Sequence, residues 1–164
     1  MDLTKHFQML ASYNRIANER IFEACARLDE TEYRKPRQGS FGSIHGILNH
    51  ILLGDRIWMA RFEGGGQSTP PLDTILAEGL GELRNARAEQ DARIEEFFTN
   101  VSGEFFSRKI VYTNTRGLHC VDEPAMAVSH FFNHQTHHRG QVHVMLSQTE
   151  VRPPSLDLHR IINP

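Results

Sequence analysis

Cysteine is nearly absent from this chain of 164 residues: only Cys25 and Cys120 occur. Two thiols exclude a multi-cysteine zinc site and a disulfide scaffold. The N-terminus, "MDLTKHFQML", lacks the apolar stretch of a signal peptide. The expectation is therefore a cytoplasmic protein with both thiols reduced. No apolar run approaches the ~20 residues that span a bilayer, so no membrane partner is expected. An excess of one charge is missing too, with 18 Lys and Arg against 20 Asp and Glu. Without a basic block, nucleic acid is not an expected partner. Linker-like stretches and internal repeats are absent, which predicts one domain over residues 1–164.

What is present is helical periodicity. Leu3, Phe7, Leu10, Ala17, Ile21, Ala24 and Leu28 alternate steps of four and three, predicting a helix from about Leu3 to Leu28 with Asp2 or Thr4 as its cap. Asn14 holds the one polar position of that stripe. Either it is a buried amide bonded to a neighbouring helix, or it lines a polar pocket. A second helix is predicted from Ile44 to Phe62, capped by Ser40 or Ser43. After the break "EGGGQSTPPL" comes a third, about Asp73 to Val101, the most charged and weakened in its first turns by Gly79 and Gly81. Ile110–Thr113 and Leu118–Val121 flank Asn114–Gly117 and read as a small hairpin or irregular crossover. A fourth helix, capped by Asp122 with Pro124 in its first turn, runs to about Gln148. The tail from Val151 reads as an extended segment with one helical turn. The fold class is all-α, with four long helices. Their long connections permit crossover courses as well as a simple up-down-up-down bundle.

The densest chemistry lies in "FFNHQTHHRGQVHVM", which holds four of the ten histidines. Ala127, Phe131, His134, His138, Val142 and Met145 share one face of the fourth helix, so His134 and His138 stand one turn apart in the core-facing row. Two imidazoles so placed can ligate one ion; each can equally be a core histidine bonded to a carbonyl. Spacing leaves both open. His130, His137 and His143 fall on the flanks. On the second helix, Ile47, His50, Ile51, Gly54 and Trp58 form an inward row with His50 as its polar exception, whereas His45 falls outside the row, on the surface. Three imidazoles leave coordination positions open, as catalytic sites do. One divalent metal ion would suit such a set, with Zn, Ni, Fe, Mn or Cu undistinguished by spacing. "HQTHH" has Gln135 where a zincin carries its catalytic Glu, which argues against a protease. The chain also lacks any Glu-x-x-His, the motif that di-iron bundles need twice.

The segments "YNRIANERIF", "ILNHILLGDRIW" and "HFFNHQTHHRGQV" together resemble the DinB family, within the DinB/YfiT-like superfamily. The resemblance runs nearly the full length and is most specific at His-x-x-x-His followed by Arg-Gly-Gln. It implies an up-down-down-up four-helix bundle and a divalent metal held by His50, His134 and His138. It also implies a homodimer. Ile16 stands where the family often has tryptophan. Relatives in the superfamily imply thiol chemistry: a metal-dependent transferase joining a low-molecular-weight thiol to a small electrophile. A metal-dependent hydrolase and a non-catalytic metal- or ligand-binding module stay open beside it. Asn14, Trp58 and Gln141 are candidate pocket residues, and no catalytic acid or base is assigned. Asp55 falls one turn beyond His50, off its face. Arg139 either pairs with an acid such as Asp55 or is solvated.

Overall fold

In a computed structural model, described for residues 2–65 and 69–164, the chain is mostly helical. The described elements are α1 (Leu3–Cys25), α2 (Glu30–Arg34), α3 (Ile44–Phe62), α4 (Leu80–Asn100), a 3-10 turn (Gly103–Ser107), β1 (Ile110–Thr113), β2 (His119–Asp122), α5 (Pro124–Leu146) and α6 (Leu158–Ile162). No helix among the described residues is long and apolar enough to cross a membrane.

The caps explain several boundaries. Asp2 accepts a hydrogen bond from the Thr4 amide (2.9 Å) and Ser43 one from the Gly46 amide (3.0 Å), each filling a donor that the helix leaves unpaired. Three predicted boundaries are corrected. The first helix stops at Cys25, and Asp29 caps the separate short helix α2, accepting from Glu32. Asp122 does not cap α5. It ends β2 and accepts from the Tyr112 hydroxyl (2.7 Å), leaving Glu123 at the cap position with Pro124 at the first turn. The third helix begins at Leu80 rather than Asp73. Asn49 captures the segment before it: its Oδ1 accepts from the amides of Leu76 and Ala77 (2.8 and 3.0 Å). Those bonds compete with helix formation. The expected hairpin is present, with Val111 opposite Val121 and Tyr112 opposite Cys120 in an antiparallel pair.

The core is built in two apolar clusters. One is aliphatic, around Ile21, Ile47, Leu52, Leu83, Val142 and Leu146. The other is rich in phenylalanine, with Phe7, Phe62, Phe98, Phe131 and Phe132. α1 and α5 run from the aromatic cluster to the aliphatic one; α3 and α4 run the opposite way. α1 and α3 each pack against both α4 and α5. Between the clusters, every long helix contributes buried polar residues: Asn14 and Asn18, His50 and Asp55, Arg87 and Asp91, Gln135, His138 and Arg139. α6 closes over α1, where Ile161 packs near Tyr13 and the Tyr13 hydroxyl donates to Leu156 O (2.8 Å).

Candidate metal centre

The polar layer divides into two parts. In one, Arg87 donates to Asp55 and lies 3.0 Å from Asp91, while Asp91 accepts from Asn14 (3.2 Å) and Asn18 (3.0 Å). Arg139 donates to Asn14, Asn18 and Gln135. All these groups are buried. Asn14 is thus a bonded core amide. Arg139 is neither solvated nor bonded to Asp55, whose partner is Arg87. Asp55 points into this network rather than toward the histidines.

In the other part, His50, His134 and His138 bring one ring nitrogen each to within 4.8 Å of the others. The Nε2 atoms of His50 and His134 are 3.0 Å apart. Two nitrogens each about 2.1 Å from one ion stand at most about 4.2 Å apart, so this pair lies within reach of a shared ion. His50 Nδ1–H donates to the carbonyl of Leu72 (2.9 Å), and a carbonyl can only accept, so its Nε2 is left with a lone pair. His138 Nδ1–H donates to Gln141 Oε1 (2.8 Å), with the same result. Bonds of this kind fix tautomer and ring orientation in metal-binding histidines.

Electrostatics favours the neutral rings. Burial lowers the pKa of His50 from its ordinary value, although the Leu72 carbonyl opposes this. His138 is lowered for the same leading reason, against the opposing bond from Gln141. His134 is pushed down to about 3, first by burial and then by the neighbouring imidazoles. Neutral imidazole is the form that binds a metal, and three such rings make a donor set that fits a divalent transition ion.

Two glycines make the packing possible. A Cβ at Gly54 would stand 2.9 Å from His134 Cε1, so only glycine lets that ring lie against α3. A Cβ at Gly46 would stand 2.2 Å from the Phe41 carbonyl oxygen. That loop crosses closely enough to stack Phe41 on His50, with ring centres 3.7 Å apart. Phe41 adopts φ 60°, a left-handed conformation that costs a non-glycine residue of the order of 1–3 kcal/mol. Ser40, beside it, accepts a long bond from Gln141 (3.4 Å).

A cavity of about 290 Å³ opens on the other side of the histidines. His50, His134, Trp58, Tyr112 and Arg61 contribute to its wall; Asn14 and Gln141 do not. Of the three predicted pocket residues, Trp58 lines the cavity, Gln141 supports His138 from behind, and Asn14 belongs to the buried network. His130, expected on the flank, is exposed yet reaches the cavity wall; His137 is exposed and His143 half-buried. His45 is corrected: it is buried, with Nδ1 3.2 Å from the Tyr33 hydroxyl. Cys25 is a buried apolar filler whose thiol burial pushes up to about 12. Sequence reasoning missed Leu72, Phe41, Arg61 and Tyr112. A lone aromatic between glycines, "GSFGS", was the available signal for Phe41; a backbone carbonyl such as that of Leu72 leaves none.

A helical protein with three converging, neutral histidines beside a small cavity is the class that fold and site define. The chain matches the DinB family model over residues 2–164 and belongs to that family. It is also 28% identical over 148 residues to the Bacillus subtilis (strain 168) "Protein DinB", covering 85% of this chain and 83% of the relative.

Proposed function

We propose that this protein is a divalent-metal-dependent enzyme that transfers a low-molecular-weight thiol to a small electrophile, with His50, His134 and His138 as the metal ligands. The observation that carries the reading is the convergence of three neutral imidazoles, two with their second nitrogen already committed, beside a cavity whose wall His50 and His134 help to form. In this reading residues 1–164 form one domain, an up-down-down-up four-helix bundle. The opposed directions of α1 and α5 against α3 and α4 support that course.

An ion held by His50, His134 and His138 would supply a Lewis acid that lowers the pKa of a nearby thiol. The residues of the chain do the rest. Leu72 O and Gln141 aim the Nε2 lone pairs of His50 and His138. Phe41 covers His50 on one face and keeps water from it. The cavity admits the electrophile on the open side, against Trp58 and Ile57. His130, on the same wall, is placed to accept or return a proton. Among the described residues the wall holds no carboxylate.

Elemental analysis of the untagged protein beside a His50→Ala variant is the first test. About one divalent ion per chain, lost in the variant, is expected; equal metal in both would remove these ligands from the reading. Thiol consumption is then followed with a panel of electrophiles, with and without metal. Metal bound but no metal-dependent turnover anywhere in the panel would leave a binding module.

A further inference from the structure

Arg61 is a buried cation without an acid bonded to it. The residue is only 8% exposed, and its Nε has no hydrogen-bond partner among the described residues. Its guanidinium lies between two aromatic faces, 4.6 Å from the Trp58 ring centre and 4.0 Å from that of Tyr112. Both rings line the cavity beside the histidines, and so does Arg61. Asp122 lies near enough to act on its charge, but it accepts the Tyr112 hydroxyl (2.7 Å) and forms no ion pair with Arg61.

Stacking does not satisfy the donors of a guanidinium. Its five N–H groups form a planar fork that matches a carboxylate edge on, while both faces stay free to stack. A guanidinium partly withdrawn from water with no acid bonded to it loses solvation, and an anion at its fork would restore those bonds. The α3 face that carries His50 continues through Gly54 and Trp58 to Arg61 in steps of four, four and three, so the histidines and Arg61 border one groove. Ile57 and Leu72 add apolar surface between them. The volume, about 290 Å³, equals some ten waters at about 30 Å³ each, which limits the occupant to a small molecule.

We propose that Arg61 binds the carboxylate of a small substrate that enters this cavity, with the substrate's other end directed toward His50 and His134. Arg61 is then a specificity residue that selects anionic over neutral molecules of the same size. The inference rests on the thiol-transfer reading only for where the reacting end lies; carboxylate capture requires no ion.

Trp58 is the one tryptophan of the chain, so its fluorescence reports on this cavity alone. The experiment titrates metal-free and zinc-loaded protein with straight-chain carboxylates from propionate to hexanoate, beside the alcohols of equal length. The expected result is a change in Trp58 emission with at least one carboxylate binding about tenfold or more tighter than its alcohol, the size of a charge-assisted hydrogen bond. That preference should vanish in Arg61→Met, with circular dichroism and metal content unchanged. If Arg61→Met does not fold, Arg61→Lys serves: it should weaken the acids and spare the alcohols. Equal binding of acids and alcohols to the wild type, or a preference that survives these substitutions, would overturn the proposal. A preference in metal-free protein that takes up no zinc would uphold it while the thiol-transfer reading fell.

Discussion

His50 Nε2 and His134 Nε2 face each other at 3.0 Å across the gap between α3 and α5. The Leu72 carbonyl fixes the His50 proton on Nδ1, so a proton on His134 Nε2 can bridge the pair, but protonation of both rings sets two cations against each other. The metal-free protein should therefore lose stability in acid. His134 has its pKa lowered from 6.5 to about 3, and His50 and His138 are lowered too. The unfolded chain then takes up protons that the folded chain refuses. Stability is full above about pH 6.5, falls as pH drops below it, and the His134 share is gone below about pH 3. Each excess proton costs about 1.4 kcal/mol per pH unit. Denaturant titrations of metal-free protein between pH 7 and pH 4 should show this slope, and His134→Asn should flatten it. An unchanged slope in that variant would mean that the acid sensitivity lies elsewhere.

Gln141 does not line the cavity beside the histidines and yet should matter to metal affinity. Its Oε1 accepts from His138 Nδ1 at 2.8 Å, and its Nε2 reaches Ser40. Gln141→Leu leaves the three imidazoles in place but frees His138 to rotate. Loss of such a support weakens metal affinity about 10–100-fold. Competition against a zinc chelator measures it. Affinity within twofold of wild type would show that the bond does not orient the ring.

Much of this site was legible because helical spacing converts directly into faces. Spacing placed His134 and His138 one turn apart and His50 in an inward row before any coordinates, and the DinB resemblance joined the three. The network on the other side was not. Periodicity reads apolar residues as buried and charged ones as exposed, so the most charged helix, α4, gave no sign that its buried face carries Arg87, Gln90 and Asp91. Arg139 was misplaced for the same reason, since its burial depends on partners from other helices. The segment before α4 was lost differently. Helical propensity there is overruled by Asn49, a tertiary contact 27 residues from Leu76, and the same irregular segment delivers the Leu72 carbonyl to His50.

Arg87 should prove costly to remove. It serves both Asp55 and Asp91, and all three are buried. Arg87→Met leaves two carboxylates without their cation and is expected to destabilise by about 3–5 kcal/mol. Replacing Arg87, Asp55 and Asp91 together by apolar residues of similar volume should recover most of that loss, because a buried ion cluster contributes little over good packing. Unfolding midpoints in urea at constant m-value test both statements. A triple variant as unstable as Arg87→Met would mean that the Asn14, Asn18 and Arg139 amide network depends on the charges themselves.

Gly54→Ala separates stability from function at a single methyl group. Within a helix, alanine is favoured over glycine by about 1 kcal/mol. At Gly54 the added Cβ would lie 2.9 Å from His134 Cε1, so the ring must swing away from His50. The variant should fold, with a melting temperature near that of the wild type, while zinc affinity falls at least about tenfold, since ligands must hold their geometry within a few tenths of an ångström. The clash depends on an imidazole at 134. In a His134→Ala background the obstacle is gone, and Gly54→Ala should there stabilise by the full helix-propensity gain. A double-mutant cycle on thermal stability reads the coupling between the two positions. If Gly54→Ala stabilises equally in both backgrounds and leaves zinc binding intact, the close packing of His134 on α3 is not what holds the histidines together.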